Sequence, residues 1–265
     1  DDTGEATVPA SVTFTAADWD TPQTITVTGA DDSIIDGTIT STITIAVDDA
    51  NSDDDFDAIA DQTVSVDILD DDTAGFTIEE TDGSTEVDES GTTDTFTIVL
   101  DAQPTNDVVV LATASNDETE ATVSGSITFT SENWDTPQTV TVTGVDDDLV
   151  DGDQTYDITI SIVDTISDDE FDGVADQSIS STTIDDDTPG FTIEETDTAT
   201  EVDESGSTDT FTVVLDAQPT SDVVLTVTSD DTEEATVNSP LTFTPANWDT
   251  PQTVTVTGAD DDLVD

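Results

Sequence analysis

"NWDTPQTVTVTG" begins at Asn133 and again at Asn247, and a near copy, "DWDTPQTITVTG", begins at Asp18. "GFTIEETD" at Gly75 returns at Gly190, and "FDAIADQTVSVDILDDDTAGF" from Phe56 is matched by "FDGVADQSISSTTIDDDTPGF" from Phe171. Trp19, Trp134 and Trp248 lie 115 and 114 residues apart; the one-residue difference falls between "VVVLATASNDETEA" and "VVLTVTSDDTEEA". Whatever this chain folds into must therefore close on itself within one period. That period is longer than the roughly 20 to 50 residues of a solenoid unit and has the size of one small domain. The expected organisation is a row of domains. Residues 1–72 form the C-terminal part of one copy, 73–187 a complete copy, and 188–265 the N-terminal part of a further copy. Asp1 and Asp265 both align near the middle of a copy, so the expectation is a stretch of a longer array, not a circularly permuted pair.

Inside the complete copy the apolar residues alternate with polar ones at period two. "DTFTIVL", "SITFT" and "PQTVTVTG" are rich in Val, Ile, Thr and Phe, as half-buried strands should be. No stretch has a helical period. Seven strands are predicted: 76–80 with an extension near Val87, 94–100, 108–114, 126–130, 138–145, 155–162 and 177–184. Seven short strands with polar turns at this spacing read as an antiparallel β-sandwich of immunoglobulin type. The expected inward residues are Phe96, Ile98, Leu100, Ile127, Phe129, Val140, Val142, Tyr156, Ile158 and Ile160.

Charge is the second constraint. The chain has 66 acidic residues and no Lys, Arg or His, a formal charge of −66 over 265 residues. Such a composition fits either an acidic disordered segment or a folded protein whose counter-ions are not its own side chains. The ordered alternation excludes the first. With no cysteine there is no disulfide, and with no lysine there is no isopeptide staple. The longest apolar run, "VVVLA", is too short to span a bilayer.

Strand direction sorts the acids. Taking alternate strands up and down, four connections fall at one pole. One carries Glu86, Asp88 and Glu89; one carries Asp117, Glu118 and Glu120. A third is "DDDLVDGD", with Asp146, Asp147, Asp148, Asp151 and Asp153; the fourth is the Asp185–Asp187 run. Carboxylates a few ångströms apart repel by ~4 kcal/mol per pair at an effective dielectric of about 20. Calcium answers that need, since it takes oxygen ligands in irregular geometry. Zinc and copper want His or Cys, and magnesium prefers to keep its waters. Two competing readings stand beside it: acids that are merely solvated, and a halophilic surface that holds hydration in brine. "SDDEFDG" (167–173) falls at the other pole and reads as a solvated loop plugged by Phe171. The three Trp residues read as packing at a sandwich end rather than as ligand-stacking groups.

On "GFTIEE", "DESG", "VTGVDDDLVDGDQTYDI" and "IDDDTPGF", in that order, the chain resembles the Calx-β domain. "FTPANW" followed by "PQTVTVTG" resembles the tandem repeats of very long bacterial adhesin-like surface proteins in particular. The resemblance covers the whole chain as one complete and two partial copies. It implies calcium-binding sandwiches joined head to tail. Its ligand set, carried over, is Glu89, Asp117, Asp146, Asp147, Asp151, Asp185, Asp186 and Asp187. In the first copy it is Asp31, Asp32, Asp36, Asp70, Asp71 and Asp72; in the third, Glu204, Asp260 and Asp261. One element departs from the family: the usual "G-x-DY" is replaced by "NDETEATVS".

An enzyme is not expected, because no His, Cys or Lys can serve as base or nucleophile and no Arg can clamp a phosphate. Nucleic acid and anionic membranes would be repelled. The expected role is an extracellular, calcium-stiffened spacer of a giant adhesin or surface fibre. Its partners would be calcium ions, neighbouring copies of the repeat and, in a bundled filament, further copies of itself. The absence of Lys and Arg also removes every trypsin-type cleavage site, which suits an exposed fibre.

Overall fold

The computed structural model describes residues 4–115 and 119–260. The Thr/Val/Ile alternation forms strands throughout, and among the described residues helix is confined to short 3-10 turns such as Asp164–Ile166 and Asp169–Phe171. The first copy supplies β1 (Ala6–Thr7), β2 (Thr28–Gly29), β3 (Ile39–Ile45) and β4 (Gln62–Ile68), paired as β1–β2 and β3–β4. The central copy supplies β5 (Phe76–Glu80), β6 (Thr85–Asp88), β7 (Thr93–Leu100), β8 (Val108–Ala114) and β9 (Ala121–Val123). It continues with β10 (Ser126–Phe129), β11 (Gln138–Gly144), β12 (Gln154–Ile162) and β13 (Gln177–Ile184). The third copy supplies β14 (Phe191–Glu195), β15 (Thr208–Leu215), β16 (Val223–Leu225), β17 (Ala235–Val237), β18 (Leu241–Phe243) and β19 (Gln252–Gly258).

The central copy is an immunoglobulin-like sandwich. One sheet has the order β10-β8-β12-β13-β6 and the other β5-β7-β11-β9. Its ladders are antiparallel except β13 with β6, which is parallel. Two of the seven strands cross from one sheet to the other. The first breaks into β5 and β6 around Gly83, and the fourth breaks into β9 and β10 at Gly125; both glycines have positive φ, +83° and +86°. The third copy repeats the second sheet as β14-β15-β19-β17, with Phe211 opposite Val254 as Phe96 is opposite Val140.

Period-two alternation turns one row of side chains inward from each sheet. Phe96, Ile98, Val140, Val142, Phe129, Ile158 and Ile160 are fully buried there, with Leu100 and Tyr156 nearly so. Each such side chain contributes roughly 1.5–3 kcal/mol on leaving water. Of the ten expected inward residues only Ile127 stays half-buried: it packs on the core from β10, the edge strand of its sheet. Phe171 plugs the far pole and is fully buried, as expected.

The loop around that plug is not simply solvated. Asp168 is buried and accepts hydrogen bonds from Thr105 N and Oγ1 (both 2.8 Å), Asn106 N (2.7 Å) and Glu170 N (3.2 Å). Its carboxylate ties the 164–171 turns to the β7–β8 turn. Burial works to raise its pKa, but the bonds from Asn106, Thr105 and Glu170 outweigh it and hold the group below the ordinary carboxylate range.

Candidate metal centre

Four chain segments meet at the pole opposite Phe171. "DESGT" follows β6 as a tight turn: Ser90 N donates to Asp88 Oδ1 (2.9 Å), Gly91 N to Asp88 O (3.1 Å), and Asp88 N to Thr92 Oγ1 (2.7 Å). Glu89 N donates to Ile184 O at the end of β13 (3.1 Å), which turns the Glu89 side chain into the protein. The end of β11 lies against the same turn. A Cβ at Gly144 would run into Asp88 O, so only glycine lets these two backbones approach. Gly258 repeats the contact against Asp203 O. Gly144→Ala should lower stability by at least about 2 kcal/mol, read as a shifted midpoint in urea denaturation, because the obstructing atom is backbone.

Beyond Gly144, the loop Val145–Asp153 is shaped by its own aspartates. Asp147 Oδ1 accepts from Leu149 N (2.6 Å). Asp185 Oδ2 accepts from Asp151 N (3.1 Å) and Gly152 N (2.6 Å), while Asp185 Oδ1 accepts from Asp187 N (2.8 Å). Asp185 is thus a clamp between the loop and the chain leaving β13. The first copy repeats it: Asp70 accepts from Asp36 N (3.0 Å), Gly37 N (2.8 Å) and Asp72 N (2.8 Å), and these bonds hold its pKa down.

The result is a group of carboxylates with nothing cationic to meet. One oxygen each of Glu89, Asp147 and Asp187 lie within 4.8 Å of one another. Glu89 is 1% exposed. Its Oε2 and Asp187 Oδ2 are buried without a hydrogen-bond partner. Burial, then the charges of Asp147, Asp185, Glu120 and Asp151, push the Glu89 carboxyl up to about 7. Burial and neighbouring acids also raise Glu120 and Asp187. A buried acid with an orphaned oxygen costs about 1–3 kcal/mol when neutral and more when charged, so the site is built for a charge the chain does not contain. The three converging donors are carboxylate oxygens, and that set is compatible with calcium.

Of the ligands carried over from sequence, Glu89, Asp147 and Asp187 converge. Asp151 and Asp185 flank them closely enough to be felt by Glu89 and Glu120. Asp146 and Asp186 are exposed and lie outside the converging three. Asp117 lies outside the described residues. Glu120 was present in the acidic connection but not among the carried-over ligands. It sits one residue before β9, with its carbonyl held by Val145 N (2.8 Å) and Thr183 Oγ1 (3.2 Å). "ATV" is too short a run to read as a strand from sequence, yet pairing with β11 is what fixes Glu120 at the pole. In the first copy Asp31, Asp32, Asp36, Asp70, Asp71 and Asp72 line one small concavity together with Glu5. Burial and the charges of Asp70, Asp71, Asp32 and Asp31 raise the Asp72 carboxyl. In the third copy Glu204 and Glu234 line an open concavity; Asp260 follows β19, and Asp261 lies outside the described residues.

No family model matches the sequence, and no curated protein matches it. Solved structures that the chain matches include CBD12 from CALX1.2, at 15% identity over 71% of this chain and 76% of that one, with a TM-score of 0.31. The apo-form Calx CBD1 domain is matched at 15% identity over 42% of this chain and 98% of that one, with a TM-score of 0.31. Domains 4–9 of the surface layer protein SbsC are matched at 15% identity over 89% of this chain and 32% of that structure, with a TM-score of 0.32. The fold itself rests on the strand order and register above. Among the described residues no helix is long and apolar enough to cross a membrane.

Proposed function

We propose that the chain is a calcium-binding spacer of an extracellular surface protein, with domains at 1–72, 73–187 and 188–265. One observation carries the reading: the buried, orphaned carboxylate of Glu89 faces Asp147 and Asp187 across a gap that repulsion would open. Glu89, Asp147 and Asp187 hold the ion, and Glu120, Asp151 and Asp185 surround it; Asp146 and Asp186 stand at the rim. Asp32, Asp36, Asp70 and Asp72 with Glu5 play the same parts in the first copy, and Glu204, Glu234 and Asp260 in the third. Bound calcium cancels the repulsion between four segments and locks them to one another. A chain of such units resists bending as long as calcium is present, which suits a stalk working in a millimolar calcium environment. The charge repels nucleic acid, and the chain has no His, Cys or Lys to act as base or nucleophile and no Arg to clamp a phosphate.

Titration calorimetry on the 265-residue chain tests this. Calcium should bind with millimolar or tighter affinity, and Glu89→Gln should weaken the central site at least about tenfold, a loss of about 1.4 kcal/mol. Heat stability in chelator should fall and return with calcium. Equal recovery in sodium chloride alone would replace calcium with a halophilic surface.

A further inference from the structure

The loop that presents Asp147 also touches the next copy of the repeat. Gln218, in the turn after β15, donates its N–H to Asp148 O (2.6 Å) and accepts from Val150 N (3.2 Å). One copy earlier, Gln103, in the turn after β7, donates its N–H to Ser33 O (2.7 Å). Both contacts are parallel bridges, Leu149 with Gln218 and Ile34 with Gln103. The glutamine side chains are tied back into their own copies, Gln103 Nε2 to Ser131 O (2.9 Å) and Gln218 Nε2 to Pro245 O (2.8 Å). Ile35 adds an apolar peg that packs on the central core.

The joint therefore occurs twice with different residues at its acceptor, Ser33 in one case and Asp148 in the other. A main-chain contact tolerates that change; a side-chain contact would not. It also uses no charged group, so the joint between two acidic surfaces brings no carboxylate of one against a carboxylate of the other through these bonds. Its position is the second point. Asp148 O is one residue from Asp147; Leu149 N donates to Asp147 Oδ1, and the residues on either side of Leu149, Asp148 and Val150, make the two bonds to Gln218. The conformation that brings the Asp147 carboxylate towards Glu89 is the one that presents the Asp148 carbonyl and Val150 N–H to the next copy.

We propose that the "DAQPT" turn of each copy is a docking element for the metal-holding loop of the copy before it, so that each copy tightens the calcium site of its predecessor. This rests on the calcium reading above. Because binding couplings are reciprocal, calcium in the loop strengthens the joint by the same factor with which the joint strengthens calcium binding. Sites with a docked successor bind more tightly than a site at the end of an array.

The test compares the 265-residue chain with Gln218→Pro, which removes the donating N–H, and with Gln218→Ala, which keeps it. Calcium is titrated while the amide resonances of Gly152 and Asp187 are followed by NMR. Gln218→Pro should weaken the central site by about fivefold or more, the lower end of common coupling factors, and Gln218→Ala should leave it nearly unchanged. Equal affinity in the chain and Gln218→Pro overturns this inference and leaves the calcium reading standing. No binding by the unaltered chain overturns the calcium reading first. Should the proline variant fail to fold, the Gln218 amide of the unaltered chain decides: in calcium its hydrogen exchange should be slow, and exchange as fast as an open loop removes the joint.

Discussion

Stripped of calcium, the central sandwich becomes more stable, not less, as the pH is lowered from about 7.5 to about 5. The folded-state carboxyl of Glu89 titrates at about 7, while in the unfolded chain it returns to the ordinary glutamate value near 4.3. A raised pKa contributes stability that is fully present below the unfolded value and is lost as the pH rises through the folded one. Glu120 and Asp187 are raised by the same causes and act in the same direction. For Glu89 alone the swing is about 3 kcal/mol, on the order of 10 °C in melting temperature for a domain of this size. The groups of this sandwich that are held low, Asp88 and Asp168, titrate below this window and leave the sign unchanged. With calcium bound the slope reverses, because protons compete for the same oxygens and the ion requires them ionised. Calorimetric melts across the range, in chelator and in excess calcium, should cross. Parallel curves of the same slope would mean that no ion resides among Glu89, Asp147 and Asp187.

Much of this architecture is legible in the residues because its causes are local. Strand runs such as "TDTFTIVL" and "QTVTVTG" alternate strictly, so their inward residues could be named one by one, and Phe96, Ile98, Val140 and Val142 are buried as expected. The acidic pole followed from strand direction alone, and Glu89, Asp147 and Asp187 meet there. What stayed hidden depends on pairing between distant segments. β9 has three residues and is a strand only because β11 runs beside it; without it Glu120 reads as one more acid in a charged loop. Asp168 shares its sequence character with its exposed neighbours. It differs because "PTND", some sixty residues earlier, turns its N–H groups towards it. The joint through Gln103 and Gln218 uses main-chain atoms, which carry no signature in a side-chain pattern.

Asp168 and Asp147 give the sharpest contrast between two uses of one residue type. Asp168→Ala should destabilise the central sandwich by about 3–5 kcal/mol, with or without calcium, because it leaves the N–H groups of Thr105, Asn106 and Glu170 without their charged acceptor. Its contribution is present above the unfolded aspartate pKa near 3.9 and is lost as the pH falls through its depressed folded value, so it underlies acid unfolding rather than metal dependence. Asp147→Asn does the opposite. The amide keeps an oxygen for Leu149 N but removes one negative charge from beside Glu89. In chelator that variant should therefore be more stable than the unaltered chain, by about 1 kcal/mol or more. In calcium it should be less stable, because a charged ligand is gone. Urea melts of both variants in both conditions separate the roles. A loss of stability for Asp147→Asn in chelator as large as that for Asp168→Ala would make the acidic pole a hydrogen-bonded knot like the far one, held by the protein itself and not by an ion.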